Sequence, residues 1–132
     1  MSRENVEIVM EGIRRFESFD LDGVTRLWHP DSRMTGPEGW PEPGPFEGRD
    51  AVVGQFRRLG DWGRQRVSDV EVVTDRADWV VVTFRWEVEG DKSGAETVAS
   101  FAGAYRVEDG QMTEAHFRRT PAEALEAAGL ED

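Results

Sequence analysis

The chain of 132 residues contains no cysteine, and only two histidines and one tyrosine. Without cysteine there can be no disulfide framework, no thiol nucleophile and no thiolate metal site. The two histidines, His29 and His116, stand far apart in sequence, and their spacing from carboxylates does not match a metal-binding pattern. We therefore expect no metal and no cofactor.

Several catalytic and targeting signatures are also missing. There is no nucleophile elbow, phosphate-binding loop or dinucleotide fingerprint, because Gly36, Gly39 and Gly44 do not precede a helix at the required spacing. The N-terminal residues contain no long apolar run, so no signal peptide or membrane span is expected. The default expectation is a cytoplasmic protein.

The composition describes an acidic, ordered chain. Hydrophobic residues make up 38% and charged residues 33%, and the net charge is −11. An acidic surface repels nucleic acid and anionic lipid, so neither is an expected partner. The length predicts one domain spanning residues 1–132.

Proline and glycine are concentrated in residues 36–48, which hold four of the six prolines and four of the fourteen glycines. Proline fixes φ and lacks a backbone donor, so the segment cannot be a helix or a central strand. Trp40 and Phe46 lie within it, which is unusual for a flexible linker. A stiff segment that carries aromatic side chains suits the wall or flap of a cavity.

The period of the apolar residues changes along the chain from helical to strand-like. Apolar spacing predicts a helix over 3–19, a short helix from Asp20 or Asp22 that Pro30 ends, and a third helix from Gly48 or Asp50 to Gly60. In the short helix, Val24, Leu27 and Trp28 are expected to share a face. Later segments predict strands over 66–74, 78–89, 96–107 and 111–119, then a helix over 121–128.

Local signals support the second half of this assignment. Alternation is clearest in residues 78–89, where the apolar face contains Phe84 and Trp86. Asp109-Gly110 predicts a tight turn between two strands. Thr120, Pro121 and Glu123 match the N-cap, N1 and N3 positions of a capping box.

This order of elements predicts an α+β fold. We expect a strongly curved, mostly antiparallel sheet that forms a cone, with N-terminal helices wrapped around it and a short helix at the C-terminus. The segment 36–48 would lie near the open end of the cone.

One polar row stands out on the last predicted strand. Alternation places Met112, Glu114, His116 and Arg118 on a common face. Imidazole titrates near neutral pH, so His116 is the candidate acid or base, Glu114 could orient it, and Arg118 could bind an anionic or carbonyl oxygen. The alternative interpretation is an ordinary polar strand face that meets solvent.

Aromatic residues provide the second set of candidates. A pocket for a flat or apolar ligand could be lined by Trp28, Trp40, Phe46, Phe84, Trp86, Phe101 and Tyr105. Plain core packing is the alternative, especially for Phe84 and Phe101. Trp62 and Trp79 fit a surface or a dimer interface.

The chain also resembles a known family over nearly its whole length. The marks are Phe16 with Asp20-Leu21-Asp22, then His29-Pro30-Asp31, the string from Gly39 to Val52, Asp109-Gly110, and the tail from Glu123 to Leu130. Together they resemble the SnoaL-like branch of the nuclear-transport-factor-2-like superfamily. The string from Gly39 to Val52 is the most specific of these marks.

The resemblance implies a conical α+β barrel with a hydrophobic pocket open at one end, usually in a homodimer. The family includes polyketide cyclases, ketosteroid isomerases and epoxide hydrolases. This chain departs from those enzymes at three places. The stretch 32–36 carries no carboxylate where isomerase-type members place a general base, Gly103 stands where similar proteins often have His, and Thr120 where they often have Asp.

Three functions remain open at this point. The first is a protein that binds a small hydrophobic or aromatic molecule and has no established reaction. The second is a cofactor-independent cyclase, isomerase or hydrolase that acts on a hydrophobic carbonyl-type substrate through His116 and Glu114. The third is a dimeric interaction module.

Overall fold

The computed structural model describes residues 2–37, 42–89 and 96–130. Their order confirms the α+β prediction. The helices are α1 (Ser2–Glu17), α2 (Leu21–Leu27), α3 (Arg49–Gly60) and α4 (Pro121–Ala127), and the strands are β1 (Trp28–Thr35), β2 (Phe46–Glu47), β3 (Arg64–Thr74), β4 (Trp79–Glu89), β5 (Glu96–Glu108) and β6 (Gln111–Arg118).

The six strands form a single sheet in the order β2-β1-β6-β5-β4-β3. Every neighbouring pair is antiparallel except β1 and β6, which run parallel. The sheet is open, with β2 and β3 as its edge strands in the described part of the chain. It curls so far that all six strands contribute to one cavity, which is the predicted cone.

The two faces of the sheet are covered differently. The inner face and helices α1 to α3 form the main core, in which Val9, Val24, Val52, Val80 and Val82 are fully or almost fully buried. The outer face is covered in part by α4, whose Ala124 packs on Val81, Ala102 and Ala104. Val81 is therefore buried although it points away from the cavity.

Local signals set the ends of several elements as predicted. The side chain of Asp20 accepts a hydrogen bond from the Gly23 amide and caps α2. Thr120 caps α4 by accepting from the amide of Glu123 at 3.2 Å. Asp109 and Gly110 both have positive φ, 52° and 79°, and join β5 to β6 in a tight turn.

The predicted end of α2 was wrong. The helix ends at Leu27, and Trp28 is extended at φ −110° and ψ 134° as the first residue of β1. Pro30 therefore lies inside a strand and does not terminate the helix. The strand tolerates it because the β1–β6 pairing is irregular between Trp28 and Arg33, where an N–H is not needed for the ladder.

The predicted face of Met112 was also wrong. The β5–β6 register shifts between Arg106 and Val107, so that Val107 pairs with Met112 and Arg106 with Glu114. One extra residue on a strand reverses the faces of those that follow. Met112 consequently lines the cavity, whereas Glu114 lies on the outer face.

Candidate ligand cavity

A cavity of about 80 Å³ lies between the inner face of the sheet and helices α1 to α3. Every element except α4 contributes to its wall. The apolar lining residues are Ile13, Phe16, Val24, Trp28, Met34, Phe46, Phe56, Leu59, Val67, Phe84, Trp86, Phe101, Met112 and Phe117, and the others are Gly12, Gly36, Gln55 and Tyr105.

The aromatic side chains on the sheet pack against each other in defined geometries. Phe84 lies 6.1 Å from Phe101 and 6.2 Å from Phe117 between ring centroids, the latter edge to face. Trp86 lies 5.9 Å from Phe101, and Tyr105 meets Phe117 edge to face at 5.7 Å. Offset and edge-to-face contacts are favourable for aromatic rings, so this wall is fixed by its own packing.

Helices close the opposite side of the cavity with further aromatic contacts. Phe56 of α3 lies 5.5 Å from Phe16 of α1 and 5.8 Å from Trp28. These contacts join three elements around one ring. The cavity is thus enclosed by side chains that hold one another in place.

Buried polar groups beside the cavity are mostly engaged with the protein. The Trp86 indole N–H donates to Gln65 Oε1 at 2.7 Å. Gln65 Nε2 donates to the carbonyls of Leu59 at 2.6 Å and Gly63 at 3.0 Å. Gln55 Oε1 accepts from Arg58 Nε at 3.0 Å. These bonds anchor the walls and leave little polar surface toward the interior.

Tyr105 is a lining residue whose polar group makes no such bond to the described residues. Its side chain is 6% exposed and lines the cavity. Burial raises the pKa of Tyr105 above its ordinary value, because an apolar surrounding disfavours the phenolate. Within the described residues, no group hydrogen-bonds to its hydroxyl.

The structure brings most of the predicted pocket residues together. Trp28, Phe46, Phe84, Trp86, Phe101 and Tyr105 all belong to the lining, and their roles in binding remain predictions. Trp40 lies outside the described residues. Arg118 is not part of the lining, because it belongs to the outer face of β6.

Sequence reasoning missed several lining residues. Phe16, Val24 and Phe56 lie on the apolar faces of amphipathic helices, a signal that marks burial but does not separate core from cavity. Phe117 follows His116 directly on β6 and so lies on the opposite face of the strand, which is the cavity side. Met112 was missed because the shifted register cannot be read from alternation.

The predicted polar row forms a connected network on the outer face. His116 Nδ1 lies 2.7 Å from Thr35 Oγ1, and His116 Nε2 lies 3.0 Å from Glu114 Oε1. Arg106 Nη1 donates to Glu114 Oε2 at 3.4 Å. His116 is 6% exposed, and its ring lies 5.9 Å from that of Trp79.

Burial favours a neutral His116. Arg118 Nη1 donates to Thr35 Oγ1 at 2.9 Å, so the Thr35 hydroxyl proton is free to be donated to His116 Nδ1, and in that tautomer the imidazole proton is on Nε2, facing Glu114. Burial lowers the pKa of His116, although the hydrogen bond to Glu114 opposes this shift.

Arg118 ties the end of β1 to β6. Besides Thr35, its Nη1 donates to the carbonyl of Phe117 at 2.8 Å and approaches that of Gly36 at 3.4 Å. Gly36 in turn donates its amide to the carbonyl of Pro43 at 2.6 Å. Arg118 therefore supports the residue at which the proline-rich segment begins.

No group of three or more His, Asp or Glu side chains among the described residues could hold a metal ion. None of the helices in the part of the chain that the structure describes is long and apolar enough to cross a membrane.

Sequence comparison identifies the family. The model of the SnoaL-like domain matches residues 9–115, most of the chain, so the protein belongs to that family. The predicted resemblance is thereby confirmed. Comparison with curated protein sequences gives no match.

Solved structures share the fold at low sequence identity. Bal32a from a soil-derived mobile gene cassette superposes with a TM-score of 0.78 at 21% identity, over 88% of each chain. The Δ5-3-ketosteroid isomerase from Mycobacterium sp. gives 0.73 at 20% identity, over 86% of this chain and 91% of that one. RV0760c from Mycobacterium tuberculosis, in complex with estradiol-17β-hemisuccinate, gives 0.76 at 20%, over 86% and 92%.

Proposed function

We propose that this protein binds a small hydrophobic or aromatic molecule in the cavity between its curved sheet and helices α1 to α3. The observation that carries the proposal is the lining, in which fifteen of eighteen residues are apolar or aromatic and none is charged. Such a site would bind its ligand by removing apolar surface from water.

The rigidity of the wall supports binding further. The ring contacts among Phe84, Phe101 and Phe117 exist in the protein itself, so a ligand would not have to order them. A pre-formed site loses less entropy on binding. RV0760c, which shares the fold, has been crystallised with a steroid ester, and this accords with an apolar ligand of similar kind.

An enzymatic function is the second candidate. A cofactor-independent cyclase, isomerase or hydrolase would use His116, oriented by Glu114 at 3.0 Å, and the similarity in fold to a ketosteroid isomerase accords with this. We place it second because neither side chain belongs to the cavity lining. A substrate would also have to displace the contacts that Thr35 and Trp79 make with His116.

Replacing valine by phenylalanine at two positions of β3 tests the binding site. Val67 lines the cavity, whereas Val72 on the same strand is 46% exposed. Val67→Phe should fill part of the cavity and weaken the binding of naphthalene or indane at least tenfold, measured by calorimetric titration. Val72→Phe is the matched control and should leave the affinity unchanged.

The result that would refute the proposal is equally clear. If neither hydrocarbon binds the unmodified protein saturably, the cavity is not the binding site. The same conclusion follows if Val67→Phe and Val72→Phe bind the hydrocarbons with equal affinity. If His116→Ala abolishes turnover of a carbonyl substrate that the unmodified protein converts, the enzymatic alternative replaces it.

We also propose that the protein is a homodimer, as the family resemblance implies, and that it is cytoplasmic. Trp62, Val72 and Val73 are 51%, 46% and 42% exposed, and a second copy could bury such apolar surface. Light scattering after size exclusion should give twice the chain mass of 14.9 kDa. A mass of one chain at micromolar concentration would contradict the dimer, and cell fractionation tests the location.

A further inference from the structure

A positive charge lies beside the apolar cavity, although no charged residue lines it. Arg58 is in the last turn of α3, and its guanidinium carbon lies over the Phe46 ring, 5.9 Å from the ring centroid. Arg58 Nε donates to Gln55 Oε1 at 3.0 Å. Phe46 and Gln55 both line the cavity, whereas the Arg58 side chain is 53% exposed. The guanidinium therefore occupies the rim of the cavity, where residues of the wall meet solvent.

Two neighbours orient this guanidinium. The ring of Phe46 attracts the cation through its quadrupole. Gln55 is 4% exposed, so the hydrogen bond fixes Arg58 Nε against a buried acceptor. The terminal nitrogens Nη1 and Nη2 donate to no acceptor among the described residues. Arg58 is thus held in position by one edge of its guanidinium and keeps two donors for another partner.

The acidic partner of Arg58 is loosely bound. Glu42 Oε2 lies 3.5 Å from Arg58 Nε, which already donates to Gln55 at a shorter distance. The side chains of Arg58 and Glu42 are 53% and 62% exposed. Ion pairs this exposed stabilise a protein little, because water and salt screen them. A carboxylate from another molecule can therefore replace Glu42 at small cost.

We propose that Arg58 binds the carboxylate of a ligand whose apolar rings occupy the cavity, which makes the ligand an aromatic or alicyclic carboxylic acid. This inference rests on the proposed binding function and specifies its ligand class. The rings leave water on binding, while the carboxylate stays at the partly hydrated rim and pairs with the planar guanidinium. A carboxylate inside the cavity would be desolvated without a cation in the lining.

The test compares 2-naphthoate with 2-naphthamide, which has the same rings and nearly the same shape but no charge. Calorimetric titration at neutral pH and low salt should show that Arg58→Met weakens the binding of 2-naphthoate about 3- to 10-fold, between the values for an exposed ion pair and a charged hydrogen bond. The affinity for 2-naphthamide should be unchanged, because methionine keeps an apolar stem beside Phe46. Circular dichroism and the unfolding midpoint verify that the variant is folded.

Arg57→Met is the matched control. Arg57 is the exposed neighbour of Arg58 on the same helix, and each substitution removes one positive charge from a chain of net charge −11. Arg57→Met should therefore keep the ratio of the two affinities that the unmodified protein has. Roughly 0.5 M sodium chloride should reduce the difference between the two variants in 2-naphthoate affinity, because salt screens an ion pair at the rim.

The competing carboxylate provides a second test. Glu42→Gln should tighten the binding of 2-naphthoate about 2- to 3-fold, because the ligand no longer displaces an exposed ion pair. Glu47→Gln is its control, since Glu47 is also exposed and lies 3.5 Å from a different arginine, Arg33. Equal effects of the two glutamate variants would contradict a carboxylate site at Arg58.

The outcomes separate this proposal from the binding function. If Arg58→Met weakens 2-naphthoate and 2-naphthamide by the same factor, Arg58 only supports the wall and the proposal is overturned. It is also overturned if Arg57→Met lowers the affinity ratio as much as Arg58→Met does, or if the unmodified protein binds naphthalene but not 2-naphthoate. In these cases saturable binding of naphthalene shows that the binding function stands. If none of the three compounds binds the unmodified protein, both proposals fail.

Discussion

The ring of Tyr105 occupies the space that a side chain at position 103 would need. An ideal Cβ on Gly103 would lie 2.9 Å from Tyr105 Cε2, closer than real Cβ contacts. The two residues share the inner face of β5, so the small size of one determines the position of the other. Substitutions at these two positions, and in the network of Thr35, His116, Glu114 and Arg118 on the outer face, should have measurable effects.

Gly103→Ala should destabilise the protein by roughly 1–3 kcal/mol, because the added methyl group overpacks a filled site. Gly54→Ala is the control, since its Cβ would meet only Arg58 Nη1 at 3.8 Å inside α3. That change should stabilise the protein by about 0.5–1 kcal/mol through helix propensity. Urea unfolding followed by tryptophan fluorescence measures both, and equal effects would contradict the packing argument.

The ionisation of Tyr105 should occur well above the ordinary tyrosine value of about 10. Burial raises its pKa in the folded state, so the stabilising effect of the neutral phenol is complete below pH 10 and is lost as the pH rises toward the folded pKa. Tyr105 is the single tyrosine, so the pH-dependent rise in absorbance at 295 nm reports its ionisation alone. A titration midpoint near pH 10 in the folded protein would show that the phenol is solvated.

His116 should make stability depend on pH at the acidic side of neutrality. Its pKa is lowered in the folded state, mainly by burial, so the unfolded chain binds the proton first as the pH falls. The stabilisation present above about pH 6.5 is therefore lost as the pH decreases toward the folded pKa. Nuclear magnetic resonance of the two imidazole rings against pH measures the shift directly.

Matched variants isolate this effect. His116→Gln should remove the pH dependence of the unfolding midpoint between pH 7 and 5 that His116 contributes. His29→Gln should retain it, because His29 lies on β1 outside the Thr35–His116–Glu114 network. Identical pH profiles for both variants would show that His116 titrates as in the unfolded chain.

Arg118→Lys should destabilise the protein by about 1–2 kcal/mol, even though the charge is kept. A hydrogen bond from a charged donor is stronger than a neutral one, and an ammonium group cannot reproduce the geometry of the guanidinium toward Thr35, Gly36 and Phe117. Amide hydrogen exchange at Gly36 should become faster. Arg66→Lys on β3, at an exposed position, should change neither quantity.

Much of the secondary structure could be predicted from sequence because its signals are local. The alternation in β4, the Asp109-Gly110 turn and the Thr120 cap each depend on a few neighbouring residues, and all were found where expected. The boundary between α2 and β1 at Trp28 was not found where expected, because the residues around Pro30 also suit the end of a helix. Pairing with the distant strand β6 decides it.

The candidate site also combines features that local sequence signals predict with features that only the tertiary structure sets. The sequence by itself determined which aromatic residues would point inward along β4 and β5, since strand alternation is a property of the backbone. Only the tertiary structure decided that Met112 faces the cavity and Glu114 does not, because a register shift between two strands sets it. It likewise brought Thr35 to His116, which are distant in sequence, and placed Tyr105 in the cavity lining.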